Sequence, residues 1–352
     1  MLNPLISIIE EDARKVVTEV DMNDLVGKSV LVTGASGLLG THILASLREA
    51  TQRGRSPLSV TAVVYSEPTT ILKSFLDFRG AHIVRGDLTD MDFVKRLGWF
   101  DYIIHAAGYG QPNRFMEDRI KTIKINTSTT LALFDRLVKD GHLLFVSSGE
   151  VYSGLSNSPH KETEIGTTNT THARSCYIEG KRCGEAICNA YRAQGIHANS
   201  ARVVLSYGPG TKSADRRAIN AFIERGLIQK KITLQDVGAA KRTYCYVSDT
   251  IEILWNILLR GREPIYNVGG LSRITIAELA RQVGCYLDVP VEFPKDGKEL
   301  SGAPKDVCLD MSLVKHEFNK IRYVPFEEGL ARTIEWQKVL YNSLLQPKER
   351  DL

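Results

Sequence analysis

Short runs of apolar and β-branched residues alternate along the chain with longer segments in which apolar residues recur at helical spacing. These runs end in Gly, Ser or Asp, which is typical of strands buried in a parallel sheet. Alternating strands and helices form βαβ units, and right-handed crossovers then favour a doubly wound α/β fold of Rossmann type. The pattern predicts strands at 28–33, 58–65, 82–85, 100–105, 142–147 and 197–204, with helices at 38–50, 119–139 and 175–194.

The two ends of the chain depart from this alternation. Mixed apolar and charged residues at helical spacing predict a leading helix over 5–20. We therefore expect an N-terminal helical extension over 1–27, a doubly wound domain over 28–208, and a smaller mixed α/β substrate domain over 209–345 that is interleaved with it. In this last part the pattern predicts helices at 216–229 and 248–260 and strands at 231–235 and 265–268.

Composition narrows the class of protein. Of the 352 residues, 43% are hydrophobic and 24% are charged, as in ordinary globular proteins, which excludes a disordered chain. No apolar run approaches the ~20 residues of a membrane helix, and acids close behind the first apolar stretch argue against a signal peptide. The six cysteines form no C-x-x-C pair and no zinc spacing, so we expect no metal and a reducing, cytoplasmic location. The net charge of +4 is too small and scattered to predict nucleic-acid binding, and it suits an anionic small molecule.

A glycine-rich loop joins the first predicted strand to the first helix of the doubly wound domain. Gly34, Gly37 and Gly40 have the spacing G-x-x-G-x-x-G. In this setting the first glycine permits a tight turn, the second lets backbone N–H groups approach a pyrophosphate, and the third allows close packing of helix on strand. The helix N-terminus adds free donors and a positive dipole end. The loop therefore predicts a dinucleotide-binding site.

The residues at the end of the second predicted strand help to distinguish an NAD site from an NADP site. Tyr65 stands where an acidic residue would bind the ribose 2′-hydroxyl, Glu67 follows slightly later, and no Arg is beside them to bind a 2′-phosphate, which favours NAD. With segments 86–88 and 105–108, the glycine spacing resembles the extended short-chain dehydrogenases/reductases, and this resemblance implies that Asp87 contacts the adenine amino group. The residues predicted to bind the cofactor are Gly34, Ser36, Gly37, Leu38, Leu39, Gly40, Asp87, Leu88, Ala106, Ala107, Gly108, Asn126, Ser147, Tyr177 and Lys181.

Tyr177 and Lys181 are candidate catalytic residues, four positions apart on one face of a predicted helix. A free Tyr has a pKa of about 10, but a nearby ammonium and the cationic nicotinamide stabilise its phenolate, which then accepts a hydroxyl proton while hydride leaves the same carbon. Ser148 follows the fifth strand, where open α/β sheets bind ligands, and is placed to hydrogen-bond that hydroxyl. Glu150 is a carboxylate that hydride transfer does not need, and it indicates acid–base chemistry at a neighbouring carbon.

A wider set of segments resembles the UDP-glucuronate decarboxylases (UDP-xylose synthases), within the nucleotide-sugar epimerases and dehydratases. The most specific is Y-x-E-G-K-R over 177–182, and the likeness covers roughly residues 28–340. It implies that Tyr177 removes the proton of the sugar 4-hydroxyl while NAD takes the C4 hydride. The resulting 4-keto uronate would lose CO₂, with Ser148 and Glu150 positioning the sugar and managing protons at C5, before NADH returns the hydride. The other matching segments are 112–113, 120–127, 174–176, 201–202, 207–209, 215–217, 222–223, 242–249, 267–269 and 325–330.

Individual positions bear on which reaction of that family is catalysed. Gly149 lies between Ser148 and Glu150, where the dehydratases have an Asp that protonates the departing 6-hydroxyl, which argues against 4,6-dehydration. A simple 4-epimerase would not call for Glu150. Three positions differ from the decarboxylase pattern, namely Leu205, Gly210 and Val307. The alternatives left open are an NDP-sugar 4-epimerase, a dehydrogenase, a 4,6-dehydratase and a catalytically silent NAD-binding scaffold.

The predicted partners are a nucleotide-diphosphate sugar and a second copy of the chain. Arg217 and Arg242 are expected to bind the diphosphate, because planar guanidinium groups suit phosphate oxygens. Arg114, where the decarboxylases have Tyr, is a candidate cation for a carboxylate, and Ser148 completes the predicted substrate-binding set. The family resemblance implies a homodimer through the helices over 119–139 and 175–194, although core packing explains their apolar residues equally well.

Overall fold

Seven parallel strands form the central sheet of the protein, which is represented by a computed structural model describing residues 4–57, 59–213, 215–294 and 306–345. The strand order is β10-β6-β5-β4-β1-β2-β3, which confirms the predicted doubly wound α/β fold. These strands are β1 (Ser29–Thr33), β2 (Ser59–Val64), β3 (Ala81–Arg85), β4 (Phe100–His105), β5 (Leu137–Ser148), β6 (His197–Val203) and β10 (Ile265–Val268).

Thirteen α-helices lie in the described residues. They are α1 (Pro4–Glu19), α2 (Leu38–Gln52), α3 (Thr70–Phe75), α4 (Met91–Arg96), α5 (Pro112–Glu117), α6 (Arg119–Asn126), α7 (Ser128–Phe134), α8 (Ser175–Ala193), α9 (Ala218–Gln229), α10 (Val247–Arg260), α11 (Ile276–Leu287), α12 (Ser312–Phe318) and α13 (Phe326–Leu345). Within the same ranges, none of them is long and apolar enough to span a membrane.

The predicted helix over 119–139 is wrong in its second half. The helix is interrupted at Thr127, α7 ends at Phe134, and β5 already begins at Leu137. The backbone N–H of Phe100 donates to the carbonyl of Arg136, which draws this segment into the sheet next to β4. Asp140 has a φ of 63°, a left-handed conformation that an α-helix does not contain. Long-range strand pairing therefore overrides the local helical spacing here.

The segment predicted as the substrate domain, 209–345, contributes a strand to the main sheet and also forms small sheets beside it. β10 pairs with β6 and extends the main sheet, although it lies within the segment predicted as the substrate domain. The remaining strands form small sheets beside the carboxyl ends of the main strands: β9 (Lys241–Tyr246) pairs with β11 (Ser272–Thr275), β13 (Asp306–Val307) and β7 (Ser206–Tyr207), and β8 (Ile232–Thr233) pairs with β12 (Val291–Glu292).

The leading helix α1 is anchored to the body by a buried polar cluster as well as by apolar contacts. Its Asp12 is 4% exposed and accepts hydrogen bonds from the Tyr246 hydroxyl at 2.9 Å and from Arg332 of α13 at 3.0 Å. Burial raises the pKa of Asp12 to about 6 despite the nearby guanidinium. The helix thereby ties the chain's beginning to α13 and to the end of β9.

Candidate active site

One cleft, of about 930 Å³, lies at the carboxyl ends of the main strands. This is where open α/β sheets bind ligands, because the loops that follow the strands diverge there. The structure brings 19 of the predicted site residues to its walls: Gly34, Ser36, Gly37, Leu38, Leu39, Gly40, Asp87, Leu88, Ala106, Ala107, Gly108, Arg114, Ser147, Ser148, Glu150, Tyr177, Lys181, Arg217 and Arg242.

Asn126 is the predicted site residue that does not line the cleft. It is fully buried at the end of α6, and its amide nitrogen donates to the carbonyl of Thr122 at 2.8 Å. A Cβ added to Gly180 of α8 would lie 3.4 Å from the Asn126 side chain. Asn126 therefore lies behind the helix that carries Tyr177, where it supports α8.

The glycine loop has the geometry that a pyrophosphate requires. Gly34 has a φ of 68°, and a Cβ at this position would lie 2.4 Å from the carbonyl oxygen of Ala106. A Cβ at Gly40 would lie 2.3 Å from the carbonyl oxygen of Gly34. Gly37 begins the 15-residue helix α2 without a side-chain cap, so backbone N–H groups of its first turn remain available to phosphate oxygens. The residues of this loop fit a dinucleotide cofactor.

The end of the cleft near β2 and β3 is built around Asp87. Its carboxylate accepts hydrogen bonds from Thr89 and an ion pair at 2.7 Å from Lys121, whose ammonium also lies 4.0 Å from the ring centre of Tyr65. Burial alone would raise the pKa of Asp87, but these hydrogen bonds outweigh it and lower the pKa. Glu67 forms exposed ion pairs with Lys73 and Arg85, away from the cleft walls.

A buried histidine connects α2, which follows the glycine loop, to the loop that follows β7. His42 of α2 is 2% exposed, and its Nε2–H donates to the carbonyl of Pro209 at 2.8 Å. Pro209 lies in the loop that leads from β7 to Thr211 and Lys212, two residues that line the cleft. Burial lowers the pKa of His42 from 6.5 to about 4, so the imidazole is neutral at physiological pH.

We expect His42 to make unfolding easier as the pH falls. Its pKa is lower in the folded protein than in the unfolded chain, so its contribution to stability is complete above pH 6.5 and is lost as the pH falls to about 4. The expected loss is about 3 kcal/mol in the free energy of unfolding. Urea unfolding of the wild type and of His42→Gln between these two pH values will measure it. The pH dependence should be weaker in His42→Gln and unchanged in the exposed control His316→Gln; equal pH dependence in all three proteins would contradict the prediction.

Tyr177 and Lys181 meet at the centre of the cleft. Tyr177 stacks on Phe115 with ring centres 4.4 Å apart and shares a hydrogen bond with Ser148. Burial raises the pKa of Tyr177 to about 12, while the Ser148 hydrogen bond and the charges of Arg174 and Arg217 act in the opposite direction. Lys181 donates to the carbonyl of Val146 at 2.7 Å, and its ammonium lies 5.7 Å from the centre of the Tyr177 ring.

The buried carboxylate of Glu185 influences the charge of Lys181. Burial lowers the pKa of Lys181, and the charge of Glu185, one turn further along α8, partly offsets this, so the pKa is about 7. Glu185 is itself buried, accepts a hydrogen bond from Ser147 at 2.5 Å and pairs with Arg202. The charge on Lys181 therefore depends on a carboxylate that does not line the cleft.

Glu150 forms an ion pair with Arg174, which stands at the start of α8 just before Tyr177. Burial raises the pKa of Glu150, and the Arg174 charge partly offsets this. The backbone N–H of Glu150 donates to the Ser148 hydroxyl at 3.2 Å. Arg174 is not among the predicted site residues. Its position three residues before a predicted catalytic Tyr was the available signal.

Cationic side chains line the substrate half of the cleft. They are the predicted Arg114, Arg217 and Arg242, together with Arg174 and Lys212, which are not among the predicted site residues. Arg217 pairs with Asp215, with Nη2 and Oδ2 2.6 Å apart, so part of its charge is already balanced. Burial lowers the pKa of Lys212, and the positive charge of Arg114 lowers it further. Positive charges therefore lie close together at this wall.

The fold and cleft define an extended short-chain dehydrogenase/reductase, with a dinucleotide loop and a Ser–Tyr–Lys group at the ends of the strands. The chain belongs to the NAD-dependent epimerase/dehydratase family, which its residues 30–269 match. NAD is accordingly its cofactor.

Similar proteins agree with this membership. UDP-glucuronic acid decarboxylase 6 from Arabidopsis thaliana is 30% identical over 86% of each chain. UDP-glucuronic acid decarboxylase 1 from Xenopus tropicalis is 27% identical over 88% of this chain and 72% of its own. Among solved structures, a dTDP-glucose 4,6-dehydratase from Streptomyces venezuelae has a TM-score of 0.76 at 23% identity and covers 91% of this chain and 99% of its own. UDP-glucose 4-epimerase from Thermotoga maritima has a TM-score of 0.75 at 22% identity, with 90% and 99% covered. At these identities the two structures establish the fold alone.

Proposed function

We propose that this protein oxidises a nucleotide-linked hexuronate at C4 and decarboxylates it, as a UDP-glucuronate decarboxylase does. The observation that supports this is the convergence, in one cleft, of Tyr177, Ser148 and a half-buried carboxylate, Glu150, with cationic side chains. The first two provide a base and a hydrogen bond for a sugar hydroxyl. The third provides proton transfer at the next carbon.

Tyr177 takes the proton of the 4-hydroxyl in this proposal. Ser148, which already shares a hydrogen bond with Tyr177, orients that hydroxyl. Positive charge on Lys181 and Arg174 stabilises the phenolate, since opposite charges nearby lower the pKa of a phenol. NAD, when held by the glycine loop, supplies the hydride acceptor and later returns the hydride.

Glu150 acts at C5. Burial raises the pKa of this carboxyl, so it binds a proton more readily than an exposed glutamate does. It can therefore deliver a proton to C5 after CO₂ has left. Gly149, beside it, has no side chain that could protonate a leaving hydroxyl, which favours decarboxylation over dehydration.

Proton NMR of the purified protein with NAD and UDP-glucuronate tests this function. We expect the uronate signals to disappear while those of UDP-xylose, or of its 4-keto pentose, grow. Protein that holds NAD and leaves the spectrum unchanged would refute UDP-glucuronate as the substrate. A product that keeps all six sugar carbons would instead favour epimerisation or dehydration.

Arg114 is proposed to bind the uronate carboxylate. Because a hydrogen bond to a charged group contributes about 1.5–3 kcal/mol, we expect Arg114→Ala to raise the KM for UDP-glucuronate roughly tenfold or more. Its affinity for UDP-glucose, which has no carboxylate, should stay within about twofold. Arg114→Lys is the matched control, because it keeps the charge and should recover part of the affinity. An Arg114→Ala variant with unchanged turnover and KM would refute this role.

We also propose that the protein is a homodimer through α6, α7 and α8. Ile120, Ile123 and Leu131 are 65%, 40% and 46% exposed along the first two of these helices, an unusual number of bare aliphatic side chains for one surface. Light scattering on the purified protein should give twice 39.2 kDa, and Ile123→Glu should reduce the mass to that of one chain. A wild-type mass of one chain would refute the dimer.

A further inference from the structure

Two segments that line the substrate half of the cleft contact each other. The first follows β4, includes α5 and contains Gln111 and Arg114, and the second follows β7 and contains Lys212. The backbone N–H of Arg216, in the second segment, donates to the side-chain oxygen of Gln111 in the first at 3.3 Å. Arg114 and Lys212 are therefore carried by two different segments that touch beside the cleft.

Arg114 and Lys212 lack the acidic partners that other cations of the cleft have. Arg174 and Arg217 each form an ion pair with a nearby carboxylate. In the part of the chain that the structure describes, neither Arg114 nor Lys212 forms such a pair. Their charges act on each other instead, since the charge of Arg114 lowers the pKa of Lys212. Like charges that line a cleft without a counter-ion indicate a place for an anion.

Arg114 is also close to the position where the sugar reacts. Phe115, the next residue of α5, stacks on Tyr177 with ring centres 4.4 Å apart. In the proposed function Tyr177 receives the proton of the 4-hydroxyl, and the carboxylate of a hexuronate is attached to C5, the neighbouring carbon. An anion between Arg114 and Lys212 would therefore be a substituent of the sugar.

We propose that Arg114 and Lys212 bind the carboxylate on C5 together and so select a uronate over a neutral hexose. We call these two residues the cation pair. The inference rests on the proposed function and adds Lys212 to the one residue that was assigned to the carboxylate there. A carboxylate has two oxygens with about four lone pairs, so it accepts hydrogen bonds from a guanidinium and an ammonium at the same time. Its negative charge also offsets the repulsion between the two cations.

The cation pair holds the carboxylate only until CO₂ leaves. When the C5–C6 bond breaks, its electron pair passes to C5 and the C4 oxygen as an enolate, neutral CO₂ departs, and a proton then adds to C5. Negative charge thus moves away from the pair, which serves substrate binding and not the breaking of the bond. Because the carboxylate is intact while hydride leaves C4, loss of one cation should raise the KM for UDP-glucuronate without lowering kcat.

Lys212→Gln tests the cation pair, because it removes the charge and keeps a polar side chain. Calorimetry on NAD-loaded protein that also carries Tyr177→Phe, which slows turnover, compares the affinities for UDP-glucuronate and UDP-glucose. We expect Lys212→Gln to weaken UDP-glucuronate binding roughly tenfold and UDP-glucose binding less than about twofold. Lys212→Arg keeps the charge and should stay within about threefold of the parent. The control Lys139→Gln, near the amino end of β5 and away from the cleft walls, should bind both nucleotides as the parent does.

A double variant shows whether the two cations hold one carboxylate. Arg114→Ala and Lys212→Gln together should weaken UDP-glucuronate binding by less than the product of their separate effects, because either change alone disrupts the shared site. Separate effects that simply multiply would overturn a shared carboxylate.

Two results with the single variant would also overturn the proposal. Unchanged affinity for UDP-glucuronate in Lys212→Gln would show that Lys212 does not contact the substrate. An equal loss of affinity for both nucleotides would assign Lys212 to the diphosphate. CO₂ release by the protein with Tyr177 intact is measured in parallel and tests the proposed function separately. Absence of CO₂, combined with a selective loss of UDP-glucuronate affinity in Lys212→Gln, would overturn decarboxylation and still support the cation pair as a uronate site.

Discussion

Replacement of Tyr177 by Phe is expected to lower kcat by about 10³-fold, because a positioned acid–base group contributes about 10²–10⁴-fold to a proton transfer. The variant keeps the ring that stacks on Phe115 and loses only the hydroxyl that hydrogen-bonds Ser148. Packing should therefore be preserved. Turnover of UDP-glucuronate by NMR and binding of NAD by calorimetry measure the two consequences separately, and NAD affinity should stay within about threefold of the wild type.

Tyr191→Phe is the matched control for this variant. Tyr191 lies on the same helix α8 and stacks on Phe134 with ring centres 3.9 Å apart, remote from the walls of the cleft. Its kcat should be that of the wild type. A Tyr177→Phe variant that retained more than a tenth of the activity would contradict the role of Tyr177 as the base.

The parts of the fold that sequence analysis predicted are those set by local chemistry. Each strand of the main sheet, and the glycine loop, is a short continuous segment of the chain. The hydrophobic spacing of a strand and the glycine positions of the loop follow from steric rules that act within a few residues. Tyr177 and Lys181 belong to the same class, because a separation of four residues on a helix fixes their relative direction. The loop and the pair line one cleft because the segments that follow the carboxyl ends of the parallel strands meet there.

The parts that sequence analysis did not predict depend on distant contacts. Residues 137–139 continue the spacing of the predicted helix, but pairing with β4, together with the backbone hydrogen bond from Phe100 to Arg136, draws them into β5. Asp12 resembles an exposed helical acid, but its partner Arg332 lies 320 residues away. The left-handed backbone of Leu205 is likewise invisible in the sequence, since leucine gives no sign of a positive φ.

Glu185→Leu is expected to lower the free energy of unfolding by roughly 3–5 kcal/mol, because it leaves the buried guanidinium of Arg202 without its counter-charge. Arg202 and Glu185 are 2% and 3% exposed and are joined by two hydrogen bonds, of 3.0 and 2.8 Å. Urea unfolding measures the loss. Removing both charges in Glu185→Leu/Arg202→Met should cost less than the sum of the single changes, since neither charge is then left unpaired.

The same pair links stability to catalysis. The charge of Glu185 partly offsets the effect of burial on Lys181, whose pKa is about 7, so loss of Glu185 should leave Lys181 less protonated at neutral pH. With less positive charge beside it, the Tyr177 phenolate is disfavoured, and kcat should fall in Glu185→Leu even where the protein remains folded. Lys95→Gln, which breaks the exposed Lys95–Asp92 pair, is the control and should change stability by less than about 1 kcal/mol. A Glu185→Leu variant as stable as this control would contradict the prediction. It would show that the hydrogen bonds of Arg202 to Tyr152 and to nearby carbonyls are enough to stabilise the buried guanidinium without the carboxylate.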